Sequence, residues 1–168
     1  MQGLHHVGFT VSNLERTIDF YHNVLGLEFA NEPTDWFSGE ALDKGVNVPG
    51  AQLKLVSFQV GDSAVEFLEY AAPSSPNDRP LPNNGLGAGH IGFLVEDIAA
   101  RKAELEAKGV KFYSDINVVD EGPLAGWRWV YFPDPDGISL ELVEIAYTRP
   151  EERAAAIQAY KKSRGWLR

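Results

Sequence analysis

The sequence predicts an α+β fold built from two tandem βαβββ modules, and three observations carry that prediction. Setting His6 on His90 also sets Val7 on Ile91, Gly8 on Gly92, Phe9 on Phe93, Val11 on Val95 and Leu14 on Ile98. A second register sets Val65-Glu66-Phe67-Leu68-Glu69 on Leu140-Glu141-Leu142-Val143-Glu144. The strand and helix signals between these two anchors also recur in the same order. A chain that resembles itself in this way reads as a duplicated module. The expected division is module one at 3–70, a linker at 71–85, module two at 86–146 and a C-terminal helix at 149–164, all within a single domain.

Each element has its own local reason. Residues 3–11 alternate, with His6, Gly8 and Thr10 on one side and Val7, Phe9 and Val11 on the other, which is the period of a strand. Ser12 followed three residues later by Glu15 reads as a capping box. Leu14, Ile18, Tyr21 and Leu25 then recur at helical spacing, and Gly26 suits the left-handed position that closes a helix. That apolar stripe should cover the Val7, Phe9 and Val11 side, leaving His6 on the uncovered inner face. Residues 27–30 can form a second strand, and 31–50, without a clear period, reads as a long functional loop. Residues 52–60 and 64–70 form a hairpin around Gly61-Asp62. Four prolines, three asparagines and two serines mark 71–85 as the linker.

The second copy repeats the order. A strand at 88–95 leads to a helix capped by Asp97 and closed by Gly109, a strand at 110–113 and a loop at 114–126 that carries Glu121. The last hairpin joins 126–132 to 138–145 through Asp134-Pro135-Asp136-Gly137, a run with strong turn chemistry. Beyond Pro150, residues 151–164 have the mixed charge of a surface or subunit-contact helix.

Composition narrows the function. With 168 residues and 44% hydrophobic content, the chain can bury one ordinary core. A net charge of −9 argues against nucleic acid or an anionic membrane as partner, since both need a basic footprint. A small organic substrate fits better. With no cysteine, neither a thiolate nucleophile nor a zinc–thiolate site is possible, so histidine and carboxylate must carry any metal chemistry. The start shows no basic segment followed by an apolar one, and no apolar run approaches the roughly 20 residues that span a bilayer. A soluble cytoplasmic protein is the expectation, and exposed sheet edges beside an amphipathic terminal helix lead us to expect a homodimer.

The candidate metal ligands are His6, Glu66, His90 and Glu141. A lone histidine in a strand is more often an ordinary hydrogen-bonded group, but two histidines and two glutamates at equivalent places in two modules are harder to explain that way. Carboxylates between large apolar neighbours are costly unless paired or metal-bound. Two neutral imidazoles and two carboxylates balance a divalent ion and leave positions open for substrate oxygens. His5 is expected on the opposite face and His22 on the helix, both structural or solvated. Glu69 and Glu144 fall on the helix-covered side, where a solvated edge or a salt bridge is the default. Trp36, Phe37 and Tyr113 are candidates for a substrate-pocket wall. Trp127 and Trp129 share strand parity and either line the pocket or fill the core, with Trp129 kept as the pocket candidate. Arg128 should point to the outer side.

The βαβββ duplication resembles the vicinal oxygen chelate superfamily. So do His6-Val7-Gly8-Phe9-Thr10-Val11 with Tyr21 and Gly26 downstream, Gly89-His90-Ile91-Gly92-Phe93, and Asp134-Pro135-Asp136-Gly137 leading to Leu140-Glu141-Leu142. That group includes glyoxalase I, methylmalonyl-CoA epimerase, extradiol dioxygenases and bleomycin or fosfomycin resistance proteins. The resemblance covers about residues 3–146. It implies a curved, cup-shaped mixed sheet holding one divalent metal ion (Ni, Co, Mn, Zn or Fe) that is chelated by vicinal oxygens of a small substrate. The His-Glu-His-Glu set is similar to that of glyoxalase I. By that likeness the chain is a lyase, isomerase or epimerase in which Glu141 and Glu66 move a proton next to a carbonyl through a metal-stabilised enediolate or enolate. Methylmalonyl-CoA epimerase usually carries Gln where Glu66 stands. Its proton-transferring Glu has no clear counterpart at Asn47-Val48-Pro49-Gly50, Glu40 and Asp43 being the nearest carboxylates. The alternative is an Fe(II) extradiol-type dioxygenase using His6, His90 and Glu141, and a third reading is a resistance-type protein that binds without turnover.

Overall fold

The alternation at the start of the chain forms strand β1, His6–Val11, and the end of the first repeat forms β5, Ser63–Ala72. These strands pair in parallel, which a tight turn cannot achieve, so the chain between them must cross over. The computed structural model describes residues 3–77, 79–120 and 124–145, with 155, 158, 159, 161–163 and 165. The first crossover contains helix α1, Leu14–Ile18, a π-helical turn at Asp19–Val24, β2 at Phe29–Asn31 and β3 at Phe37–Ser38. Helix α2, Glu40–Val46, and β4, Gln52–Val60, complete it. The sheet order is β1-β5-β4-β2, with β3 also paired to β4.

The second repeat builds the same sheet. Strand β6, His90–Leu94, pairs in parallel with β9, Ser139–Ile145. Helix α3, Ile98–Ala107, β7, Asn117–Val118, and β8, Trp127–Pro133, lie between them in the chain. The order is β6-β9-β8-β7. Both sheets are therefore mixed, with one parallel pair at the edge and antiparallel pairs beyond it. The chain divides into two compact units: Met1–Pro82 with the turn Asp134–Gly137, and Asn83–Pro133 with Ile138–Arg168. No helix among the described residues is long and apolar enough to cross a membrane.

Each unit buries the helix-bearing face of its sheet. In the first, Leu14 and Tyr21 pack on Val56, Phe58, Val65 and Phe67, all but excluded from solvent, and the Tyr21 and Phe67 ring centroids are 4.2 Å apart. In the second, Ile98 and Leu105 meet Val130, Phe132, Leu140 and Leu142. A fully buried side chain of this size contributes roughly 1.5–3 kcal/mol, so these clusters dominate the stability of each half.

The second glutamate of each repeat serves the helix. Leu14 donates its backbone N–H to Glu69 at 2.5 Å, and Ile98 donates to Glu144 at 2.8 Å. These are first-turn donors that no helical carbonyl can satisfy. A cation on the neighbouring strand completes each arrangement: Lys54 lies 3.4 Å from Glu69, and Arg128 makes contacts of 3.0 and 3.1 Å with Glu144. The salt-bridge reading of Glu69 and Glu144 and the outward placement of Arg128 both agree with these contacts.

Several local expectations change. Asn13, not Ser12, caps α1, accepting from the Arg16 N–H at 2.8 Å. The Ser12 hydroxyl is committed elsewhere, donating to Asp136 at 2.6 Å, while Glu15 binds Lys54 instead of turning back to the cap. Gly26 and Gly109 take positive φ, 73° and 90°, as expected of helix-closing residues. The supposed loop 31–50 contains β3 and α2. Residues 110–113 do not form a strand; Tyr113 makes a hydrogen bond to the Tyr131 carbonyl, and pairing with β8 resumes at Asn117–Val118. Glu121 and most of 149–164 lie outside the described residues, although 155, 158, 159 and 161–163 are helical.

Candidate metal centre

Strand registry brings each predicted histidine to its predicted glutamate. In the first unit Gly8 is the register partner of Glu66, and in the second Gly92 is the partner of Glu141. Each histidine stands two residues before its glycine, on the same side of the strand. The result is His6 Nε2 at 3.7 Å from Glu66 Oε1 and His90 Nε2 at 3.3 Å from Glu141 Oε2. Both pairs lie on the sheet face opposite the helix. The carboxylates are largely covered while the imidazoles are about half exposed, so each pair is open from one side.

Each glycine flanks its carboxylate. A β-carbon at Gly92 would stand 3.4 Å from Glu141 Oε2, and one at Gly8 would stand 3.8 Å from Glu66 Oε1, both ordinary contact distances. The donor chemistry fits a divalent ion, with an imidazole nitrogen and a carboxylate oxygen facing each other twice over. Among the described residues, no group of three or more His, Cys, Asp or Glu side chains is gathered into a metal-holding cluster.

Other predicted residues fall into different places. His5 is not turned away: its Nδ1 lies 2.8 Å from His6 Nδ1, so one ring donates and the other accepts. If His6 is the donor, its Nε2 keeps a free lone pair beside Glu66. His22 is structural, with Nδ1 at 2.8 Å from the Leu27 carbonyl. Trp36 lies over the Lys54 ammonium, 4.8 Å from ring centroid to nitrogen, and Lys54 belongs to the helix-bearing face with Glu15 and Glu69. Phe37 pairs with Leu53 at the sheet margin, and Tyr113 is mostly exposed. Trp129 shares the parity of Glu141, being the register partner of Val143, and so stands on the face of the His90–Glu141 pair. Asp43 accepts from the Gly50 and Ala51 N–H groups at 2.8 Å each, and Glu40 pairs with Lys44 on the surface. Both carboxylates are occupied in local structure.

Tyr131 is a site residue that the sequence reading missed. It is the direct register partner of Glu141, its hydroxyl is 3.1 Å from His90 Nε2, and its ring meets both His90 and Trp129 edge-on. Burial, and then the charge of the Glu141 carboxylate, holds its phenol above the ordinary value. The available signal was parity, because Trp127, Trp129 and Tyr131 alternate along one strand.

Comparison with known proteins agrees with this architecture. Residues 3–142 match the family described as the Glyoxalase/Bleomycin resistance protein/Dioxygenase superfamily. The chain is 31% identical over 166 residues to a 2-epi-5-epi-valiolone epimerase from an Actinomyces species, covering 97% of this chain and 90% of that protein. It is 28% identical over 150 residues to a lactoylglutathione lyase from Pseudomonas aeruginosa, covering 84% and 81%. Among solved structures, a glyoxalase family protein from Bacillus cereus has the same fold with a TM-score of 0.71 at 22% identity, over 86% of this chain and 95% of that one.

Proposed function

The chain belongs to the Glyoxalase/Bleomycin resistance protein/Dioxygenase superfamily, and from that premise we propose that it is a divalent-metal-dependent enzyme that moves a proton at a carbon beside a carbonyl. The observation that carries this reading is the His–Glu pair made twice, His6 with Glu66 and His90 with Glu141, on equivalent strands. His6, Glu66, His90 and Glu141 are the proposed ligands. When bound, a divalent ion supplies Lewis-acid polarisation of the substrate's vicinal oxygens and so acidifies the neighbouring C–H. Glu66 and Glu141 are the carboxylates available to take the proton and return it. Trp129 stands on the face of one pair and supplies apolar wall to hold a small ligand.

Within this class we favour epimerisation over the lyase reaction. The 31% identity to a relative named as an epimerase extends over 97% of the chain, whereas the likeness to the lactoylglutathione lyase is weaker and shorter. The net charge of −9 adds to this, as it suits a substrate less anionic than one bearing the two carboxylates of glutathione. We also propose a homodimer. Strands β1 and β6 each end their sheets, and Val7 and Leu94 on them are substantially exposed, features that a second copy can cover.

The test begins with metal content as purified and after reconstitution with Ni, Co, Mn, Zn or Fe. Screening α-hydroxycarbonyl, thiohemiacetal and acyl-thioester compounds without oxygen, in deuterium oxide, then seeks turnover with deuterium entering beside the carbonyl. Oxygen consumption matched to turnover, and confined to the Fe(II) form, would refute proton transfer in favour of a dioxygenase.

A further inference from the structure

The two units repeat the His–Glu pair but not what stands opposite the glutamate. In the first unit the register partner of Glu66 is Ser57, a short side chain that is buried. In the second the partner of Glu141 is Tyr131, whose hydroxyl reaches His90 Nε2. The phenol breaks the internal symmetry because its longer side chain carries a hydroxyl to the histidine nitrogen of the pair.

Its position has a chemical consequence. His90 Nε2 is the nitrogen that also faces Glu141 Oε2, so it is the atom that would act as ligand. A nitrogen whose lone pair is committed cannot accept from the phenol. The Tyr131 O–H is then left with the carboxylate of Glu141, its register partner, or with an oxygen placed at the open side of the pair. Its ring cannot easily swing away, since Trp129 meets it edge-on with centroids 5.5 Å apart and His90 with centroids 5.2 Å apart.

We propose that Tyr131 is a substrate-binding residue that donates its phenolic hydrogen bond to an anionic or developing-anionic oxygen of an α-hydroxycarbonyl substrate beside the His90–Glu141 pair. This rests on the metal-dependent reading above. Because the first unit has the short Ser57 at the equivalent place, the phenolic donor belongs to the His90–Glu141 pair.

The experiment uses full-length protein loaded with Co(II) and acetohydroxamate as an anionic vicinal-oxygen probe. Cobalt affinity is measured by chelator competition and probe affinity from the visible cobalt spectrum. Tyr131→Phe should bind the probe about tenfold more weakly, the loss of one hydrogen bond to a charged oxygen, while keeping cobalt affinity within about twofold. Ser57→Ala should change neither. Wild-type protein should also show a tyrosine ultraviolet difference spectrum on probe binding, which decides the matter if the variant fails to fold. Unchanged probe affinity with cobalt retained, or no tyrosine perturbation in the wild type, overturns the role of Tyr131 alone. Loss of cobalt together with the probe shows Tyr131 supporting the ligands instead and also overturns it. Failure of the wild-type protein to bind cobalt overturns the metal-dependent reading itself and the Tyr131 proposal with it.

Discussion

Replacing Glu144 with alanine should cost far more stability than its surface position suggests. Glu144 accepts the Ile98 N–H at the start of α3 and holds Arg128 through both carboxylate oxygens. Losing a side-chain acceptor for a helix's first-turn donor costs about 1 kcal/mol, and a partly exposed ion pair adds up to about 1 kcal/mol. Ile98 is fully buried, so its freed N–H cannot turn readily to water. The expected total is about 2 kcal/mol by addition of these costs. With a urea slope of about 2 kcal/mol per molar, the unfolding midpoint should fall by about 1 M. Glu144→Gln keeps an acceptor and should lose about half as much. Glu104→Ala is the control, because that residue pairs with Arg101 and Lys108 on the exposed side and should leave the midpoint nearly unchanged. A Glu144→Ala effect no larger than the Glu104→Ala effect would refute the argument, as would zero coupling to Arg128 in a double-mutant cycle.

Other outcomes follow from the same contacts. His6→Ala, His90→Ala and Glu141→Ala should each weaken divalent metal binding by more than the roughly tenfold that losing an outer partner costs, with His22→Ala unchanged, measured by metal analysis after dialysis. Full occupancy in all three ligand variants contradicts the site. Burial, followed by the Asp134 carboxylate, holds the Tyr21 phenol well above its ordinary value. Its folded form therefore favours the proton, and the stability it contributes is intact below about pH 10, the unfolded value, and falls as pH rises beyond it. Tyr21→Phe should be about 1 kcal/mol less stable at neutral pH yet lose less between about pH 9 and 11, followed by denaturant melts; equal alkaline slopes would count against this. Sedimentation should find a dimer, and a monomer at every concentration would exclude one.

The parts of this fold legible in the sequence were those where one sheet face is buried and the other is not. There, alternation is forced, and it set His6 and Gly8 on one side and Glu141 and Leu142 on opposite sides. Helix α2 was illegible because none of its residues is buried, so Glu40–Val46 carries no apolar period. The π-helical turn at Asp19–Val24 was hidden for the opposite reason, since Leu14, Ile18, Tyr21 and Leu25 satisfy an ordinary helical spacing. Ser12 misled because a capping signature says nothing about a distant competitor, and Asp136 takes its hydroxyl. At the site, histidine and glutamate could be paired by repeat symmetry. Tyr131 could not, because its counterpart is Ser57 and the repeat breaks there.

The parallel pairing of the first and last strands sets the order in which each half can be completed. The β4–β5 and β8–β9 hairpins close between neighbours, whereas position 6 must find position 64 and position 90 must find position 139. Such long-range closures are slow, because chain entropy is lost before any contact repays it. During synthesis His6 leaves the ribosome early and waits for a strand not yet made. A half whose hairpin has formed but whose opening strand is still loose contains the glutamate without its histidine. Formation of either donor pair therefore reports the docking of that opening strand.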